Sequence, residues 1–234
     1  MNDHMRFALD DLGNAIARYT EHGDLTATAI SGLSFFRRNE PSEPMGGMYE
    51  PSICVIAQGA KRVVLGDDSF VYDPRHYLIT SLHLPTVVQV IDATREKPCM
   101  GLALKLDLRE ISHMMAGSNL PAPRMQRSSR GMATGEMTLP LLNAFQRLVD
   151  LLDDEEAIPI LVPTVQREIM YRLLVGEQGT RLRQIASVGS QSHQIARAVE
   201  WLKENFAEPL RVDDLAVRTG MSPSTFHHHF RSMT

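Results

Sequence analysis

Hydrophobic spacing changes period twice along the chain, and each change marks a different kind of element. From Arg6 to Tyr19 the apolar positions Phe7, Leu9, Leu12, Ile16 and Tyr19 fall at helical spacing, and His22-Gly23 ends the helix they predict. From about Leu33 to Leu106 the period shortens. LSFF, SICVIAQ, RVVL, FVY, YLIT, TVVQVI and MGLALKL are apolar or alternating runs of strand length. Gly59, Gly66-Asp67-Asp68, Asp73-Pro74 and Lys97-Pro98 separate them with turn chemistry. Strands that succeed one another with no helix between them predict an antiparallel sandwich or small barrel, and VVLGDDSFVY reads as one tight hairpin.

After Asp107 helical spacing returns. The stretch NLPAPRMQRSSRGMATG, starting at Asn119, is too polar to pack and is expected to be a mobile loop. Leu139, Leu142, Phe145, Leu148, Val149 and Leu152 then form one stripe, and Leu161, Val165, Ile169 and Leu173 a second. Joined by DDEEAIP, the two helices should pair antiparallel and bury their stripes on the sheet or on a second copy of the chain. Polar Gly189-Ser190-Gln191-Ser192 marks a boundary before the last module.

That module carries the sharpest signal. Ser190 or Ser192 can cap a helix with Ile195, Val199 and Leu202 on one face and Ala198 and Trp201 beside them, and Pro209 stops it. Asp213 and Asp214 suit the first turn of a second helix, where carboxylates meet the positive end of the dipole. Leu215 and Ala216 face inward, Gly220 permits a tight turn, Ser222 caps a third helix and Pro223 opens it, with Phe226 and Phe230 as core anchors. Helix, glycine turn and capped helix describe a helix-turn-helix. Its second helix would enter a major groove with Ser224, Thr225, His227, His228 and Arg231 outward, and with Arg211 and Arg218 as further phosphate contacts. From Ser187 to Thr234 there are five basic and five acidic residues, so counterion release adds little affinity. A helical hairpin used only for packing is the alternative.

Composition bounds these readings. The 234 residues are 43% hydrophobic and 22% charged, enough apolar material for a core, which excludes global disorder. A net charge of −4 gives no overall basic character, so a nucleic-acid partner rests on the local element. Two cysteines, Cys54 and Cys99, are too few for a disulfide framework or a cysteine zinc site. No apolar run approaches the roughly 20 residues that span a bilayer. The first residues lack a signal-peptide core, so no membrane partner and a cytoplasmic location are expected.

At this point the residues match a family. IARAVEWLKENFAEPLRVDDLAVRTGMSPSTFHHHF, from Ile195 to Phe230, resembles the first half of the AraC/XylS-type DNA-binding domain. YEPSICVIAQGAKRVVLG, YDPRHYLITSLHLP and QREIMYRLL resemble the AraC-type N-terminal regulatory domain. The resemblance implies an α+β chain: a cupin-like antiparallel β-barrel with flanking helices that senses an effector, helices that mediate dimerisation, and an all-α helix-turn-helix segment. The expected divisions are an N-terminal helix and arm (1–30), the barrel (31–112), a helical linker and dimerisation region (113–188) and the incomplete reader (189–234). The family's reader has two helix-turn-helix units and this chain stops after the first, so a shortened form with weak promoter-DNA affinity of its own is expected.

The implied function is sequence-specific transcriptional regulation by a small effector, in a homodimer, without enzymatic activity or cofactor. A cupin-type metal enzyme is one alternative; a truncated interaction domain that dimerises without reading DNA is the other. A catalytic cupin needs several converging histidines and a glutamate. The barrel segment offers only His76 and His83, and His227-His228-His229 splay around a helix, so no metal site is expected. Cys54 and Cys99 read as buried small hydrophobes rather than redox sensors. On the last strand Met100, Leu102, Leu104 and Leu106 should pack on helices, while Cys99, Gly101 and Ala103 leave room for a ligand. Gln58, Tyr72, His76 and Gln89 would supply polar contacts to it, and a filled core is the alternative.

Overall fold

The computed structural model describes residues 3–20, 25–117, 130–187, 190–207 and 211–234. His22-Gly23, Gly189, Pro209 and most of the expected polar loop lie outside them.

Among the described residues, helix α1 (Asp3–Tyr19) is followed by ten strands, the last of them after a helix, and their pairing is antiparallel throughout. The strands are β1 (Leu25–Ala27), β2 (Leu33–Arg38), β3 (Met45–Tyr49), β4 (Ser52–Gln58), β5 (Ala60–Leu65), β6 (Asp68–Tyr72), β7 (His76–Thr80), β8 (Leu84–Asp92), β9 (Cys99–Lys105) and β10 (Met132–Glu136). A six-stranded sheet runs β1-β2-β9-β4-β7-β10 and a four-stranded sheet runs β3-β8-β5-β6. They face one another as a flattened cupin-like barrel, with β6 lying against β7 and β10 where the hydrogen-bonded ladder is interrupted. The β5–β6 hairpin turns at Gly66-Asp67, as Leu65 pairs with Asp68.

The six-stranded sheet divides the core in two, because successive side chains on a strand point to opposite faces. Leu33, Phe35, Ile53, Val55, Leu102 and Leu104 pack beneath helices on the outer face. Phe36, Cys54, Ile56, Leu78 and Cys99 face the second sheet. Strand β4 is therefore covered on both sides, which explains why SICVIAQ is a continuous apolar run rather than an alternating one. The division of β9 follows the expected one: its large residues lie under helices, and Cys99 and Ala103 lie between the sheets.

Asp107 accepts from the Arg109 and Glu110 amides to cap α2 (Leu108–Ala116). The outer face of the sheet is then roofed by α1, α3 (Leu139–Asp150) and α4 (Ile158–Val175), with a 3₁₀ turn at Leu151–Asp153. Glu168 of α4 pairs with Arg147 of α3 and, at 2.6 Å, with Arg172. The buried side of α4 is Val162, Ile169, Met170, Leu173 and Leu174, so the expected stripe is rotated and Leu161 stands on the outer side. Helix α5 (Gly179–Ala186) follows, an element the sequence reading did not separate.

One expectation fails outright. Residues 132–135, the end of the expected mobile loop, form β10 together with Glu136, paired with β7 from Met132↔Thr80 to Glu136↔His76. Met132 is fully buried and Ala133 nearly so. MATGE has almost no strand signature of its own; the open edge of β7 and the cover from Arg181, which donates to the Arg130 and Met132 carbonyls, make it a strand.

Three helices end the chain: α6 (Gln191–Glu204), α7 (Val212–Thr219) and α8 (Pro223–Met233). Ser190 caps α6 by accepting from the His193 amide at 3.1 Å, and Ser222 caps α8 by accepting from Thr225 at 3.2 Å. Gly220 has φ +68°, the left-handed conformation that closes α7, with the Met221 amide donating to the Ala216 carbonyl at 2.9 Å. Leu215, Ala216 and Phe226 are buried, and Phe230 is half-buried with its ring 5.4 Å from that of Phe226. Helix, left-handed glycine turn and serine-capped helix thus follow one another in the expected order.

Candidate functional site

Between the two sheets lies a cavity of about 360 Å³. The six-stranded sheet contributes Ser34 and Phe36 (β2), Ser52 and Cys54 (β4) and Ala103 and Lys105 (β9); the other contributes Met48 and Tyr49 (β3), Lys61 (β5) and Tyr72 (β6). Within β2, β4 and β9 the paired lining residues are two apart and so share a face, whereas Met48 and Tyr49 are consecutive on β3, and Met48 is largely exposed. On β5, Lys61 stands in phase with Val63 and Leu65, and its direct cross-strand partner on β6 is Tyr72.

The polar groups here are sparse and mostly spoken for. The Tyr49 and Tyr72 hydroxyls lie 3.3 Å apart, and burial raises both phenols well above their usual range. Burial pushes the Cys54 thiol up to about 11, and likewise Cys99, so both cysteines are enclosed, protonated groups. Lys105 pairs with Glu50 at 2.5 Å, a hydrogen bond that holds the Glu50 carboxyl below the ordinary carboxylate range. Lys61 differs. Its ammonium lies 3.0 Å from the centroid of the Phe36 ring, and burial lowers it to about 8.

Of the effector-contact residues expected from sequence, Tyr72 and Ala103 line this cavity. Cys99 and Gly101 are buried beside it; a side chain at Gly101 would run into the Val55 carbonyl and come within 2.8 Å of the Phe36 ring, so this glycine is a close-packing position. Three others are elsewhere. Gln58 donates to the Pro98 carbonyl at 2.9 Å, exposed His76 contacts Asp73 at 2.9 Å, and Gln89 accepts from Arg62 on the outer side of the second sheet. Lys61, Tyr49, Ser34, Ser52 and Cys54 are lining residues that the sequence reading missed. The available signal was Lys61: a charged residue in phase with two apolar, inward positions.

At the other end of the molecule, Ser224, Thr225, His227, His228 and Arg231 all lie on α8, and all but half-buried Thr225 are exposed. Ser224, His228 and Arg231 recur at helical spacing and share one face. The Ser224 and Thr225 hydroxyls hydrogen-bond to Ser222, at 3.2 and 2.8 Å. Arg218 lies over Trp201, its guanidinium 4.5 Å from the ring centroid. His229 is half-buried, and its enclosure together with His228 lowers its imidazole. Among the described residues, no cluster of three or more histidine, cysteine, aspartate or glutamate side chains has metal-site geometry.

The two ends meet. Ile195, Val199, Leu215, Ala216, Phe226 and Met233 belong to the same buried cluster as Phe36, Cys54 and Tyr72. The Gly131 amide donates to the Met233 carbonyl at 2.7 Å; Arg130 pairs with Asp68 at 2.5 Å and donates to the Arg231 carbonyl at 3.4 Å. On the opposite side of the seam His83 contacts Glu200 at 2.8 Å. An apolar recess of about 780 Å³ remains beside it, bordered by Leu65, Pro85, Leu202, Phe206 and Phe230.

No curated protein sequence matches the chain. Among solved structures it is similar to ToxT from Vibrio cholerae (11% identity, 91% of this chain and 95% of that one, TM-score 0.39). It is also similar to ToxT of strain SCE256 bound to an unsaturated fatty acid (10% identity, 86% and 91%, TM-score 0.39). The AraC-like transcriptional activator CuxR is a third (12% identity, 88% and 73%, TM-score 0.37). Likenesses this remote do not bear on ligand or target. The family model for the AraC-type transcriptional regulator N-terminus, however, matches residues 29–181, from just before β2 into α5, and so takes in every strand but β1 and the helices α2, α3 and α4. The chain belongs to the AraC-type transcriptional regulators.

Proposed function

We propose that the chain is a cytoplasmic, sequence-specific DNA-binding regulator whose helix-turn-helix is biased by a small molecule held between the two sheets. In this reading residues 1–30 are an N-terminal helix and arm, 31–112 the sensing barrel, extended by β10, 113–188 a helical linker and dimerisation region, and 189–234 the DNA reader. The family membership supports effector-controlled regulation, and among the described residues no helix is long and apolar enough to cross a membrane. The observation that carries the coupling is the shared buried cluster: cavity residues Phe36, Cys54 and Tyr72 pack in one body with Leu215, Phe226 and Met233. A ligand that fits one packing of that body better than another shifts the position of α8 by its difference in affinity.

At the DNA, Ser224, Thr225, His227 and His228 meet base edges, while Arg231 and Arg218 meet phosphates. The outer side of α4 supplies a dimer surface: Ile160 is 72% exposed and Leu161, Tyr171 and Val175 about half exposed, more apolar area than a solvent-facing helix carries.

Selection of bound duplexes from a random pool, followed by titration of the winners, tests the assignment of α8 to the major groove. His227→Ala and His228→Ala should each relax base preference, by about 1–3 kcal/mol for every bidentate hydrogen-bond pair to a base edge that the variant can no longer form. Arg231→Ala should weaken all sequences alike and flatten the salt dependence. Equal losses on selected and random DNA for the histidine variants would refute the assignment.

A further inference from the structure

Three charged side chains line the cavity, and two of them, Glu50 and Lys105, neutralise each other at 2.5 Å. The third, Lys61, has no carboxylate within ion-pair distance among the described residues. Its surroundings are the Phe36 ring, the Cys54 and Cys99 thiols and the positive charge of Arg38. A buried ammonium without a counterion is costly, and a chain can relieve the cost by placing an acid opposite or a fully apolar residue at the position. At this inward position of β5, between the sheets, neither is present among the described residues. The rest of the lining is mainly apolar, with Leu25, Phe36, Met48 and Ala103 along it and hydroxyls only at Tyr49, Tyr72, Ser34 and Ser52.

We propose that the cavity takes a small amphipathic carboxylate, its single negative charge on the Lys61 ammonium and its apolar body between Phe36 and Met48. This rests on reading the cavity as the effector site and names the chemical class that site takes. One unneutralised cation matches one negative charge; a phosphate dianion would leave charge uncompensated in a mainly apolar space. The volume, near the lower end for ligand pockets, suits a medium-chain or single-ring acid. The enclosed ammonium, held near 8, remains mostly protonated at pH 7 and therefore available to an anion.

Isothermal titration of the full chain with octanoate and benzoate, against octanamide and benzamide, decides it. The expected result is saturable binding of at least one acid, at one per chain, with the matching amide at least tenfold weaker. Lys61→Met should reduce acid binding at least tenfold and leave amide binding unchanged, and Lys61→Arg should retain the preference for the acid. If Lys61→Met does not fold, the acid-against-amide comparison on the unaltered chain together with Lys61→Arg still decides. Amides that bind as tightly as acids overturn the inference while leaving the cavity a ligand site. Acid binding untouched by Lys61→Met overturns it by placing the acid elsewhere. Binding of neither series overturns both the inference and the reading of the cavity on which it rests.

Discussion

Phe226→Ala probes whether the C-terminal helices are held by the same core as the sheets. Phe226 is 2% exposed and sits where α6, α7 and α8 converge, its ring stacked 5.4 Å from Phe230 and its cluster continuous with Leu82, Leu84 and Met132. Truncating a phenylalanine in such a position costs about 3–5 kcal/mol, from reduced burial plus the cavity left behind. With a urea slope of about 2 kcal/mol/M, a loss of about 4 kcal/mol moves the midpoint by about 2 M. The single tryptophan, Trp201 on α6, makes the assay local, since its fluorescence reports the helix-turn-helix while far-UV circular dichroism reports both parts. In the unaltered chain the two signals should unfold together, because one buried cluster spans the seam. In Phe226→Ala the fluorescence midpoint should fall by about 2 M. A fluorescence shift below about 0.5 M at unchanged slope would refute the packing of α8 onto this core.

Four further substitutions test the packing elsewhere in the chain. Gly101→Ala drives a methyl group into the Val55 carbonyl and the Phe36 ring, whereas Gly220→Ala meets open space and suffers only from its φ of +68°. Differential scanning fluorimetry should rank them, with Gly220→Ala losing about 1–2 kcal/mol and Gly101→Ala more. Glu168→Gln removes the acid that joins Arg147 to Arg172, whose hydrogen bonds, that of Arg147 foremost, hold the Glu168 carboxyl below its ordinary value. A depressed folded-state carboxyl stabilises above its unfolded pKa, so the variant should be weaker in urea at pH 7, and the difference should vanish as pH falls through the lowered folded value. A pH-independent difference would contradict the pairing. Ile160→Glu on the outer side of α4 should convert a light-scattering mass of twice 26.2 kDa into a single chain mass; a single mass for the unaltered chain at micromolar concentration would count against the dimer surface.

Local rules account for what was legible. The Ser190 and Ser222 caps, the left-handed Gly220 and the two-residue turn at Gly66-Asp67 are decided within a few residues, and each appears where the sequence places it. The two faces of β9 were readable because strand alternation assigns its small and large residues to opposite sides. Strand β10 was not, since its pairing comes from the free edge of β7, more than fifty residues earlier, and not from its own composition. On α4 the expected stripe holds at Ile169 and Leu173, with Val165 at its margin, but Leu161 gives way to Val162 for a related reason: the apolar positions run round the helix, and only packing against α3 and α5 selects which side is covered.

The candidate site divides in the same way. Ser224, His227, His228 and Arg231 were identifiable as one outward set because helical spacing and two phenylalanines determine the inward face of α8. Gln58, His76 and Gln89 were polar and suitably placed along the chain, yet the strands carry them to rims and outer faces. Order along the chain thus determined most of the elements, their caps and the fold class, since these depend on neighbours a few residues away, while β10 and α5 depended on packing. Only the closure of one sheet over the other decided that Lys61, Cys54 and the two tyrosines share a cavity, because that proximity arises from pairing between distant strands and leaves no local trace except one charged residue in an apolar phase.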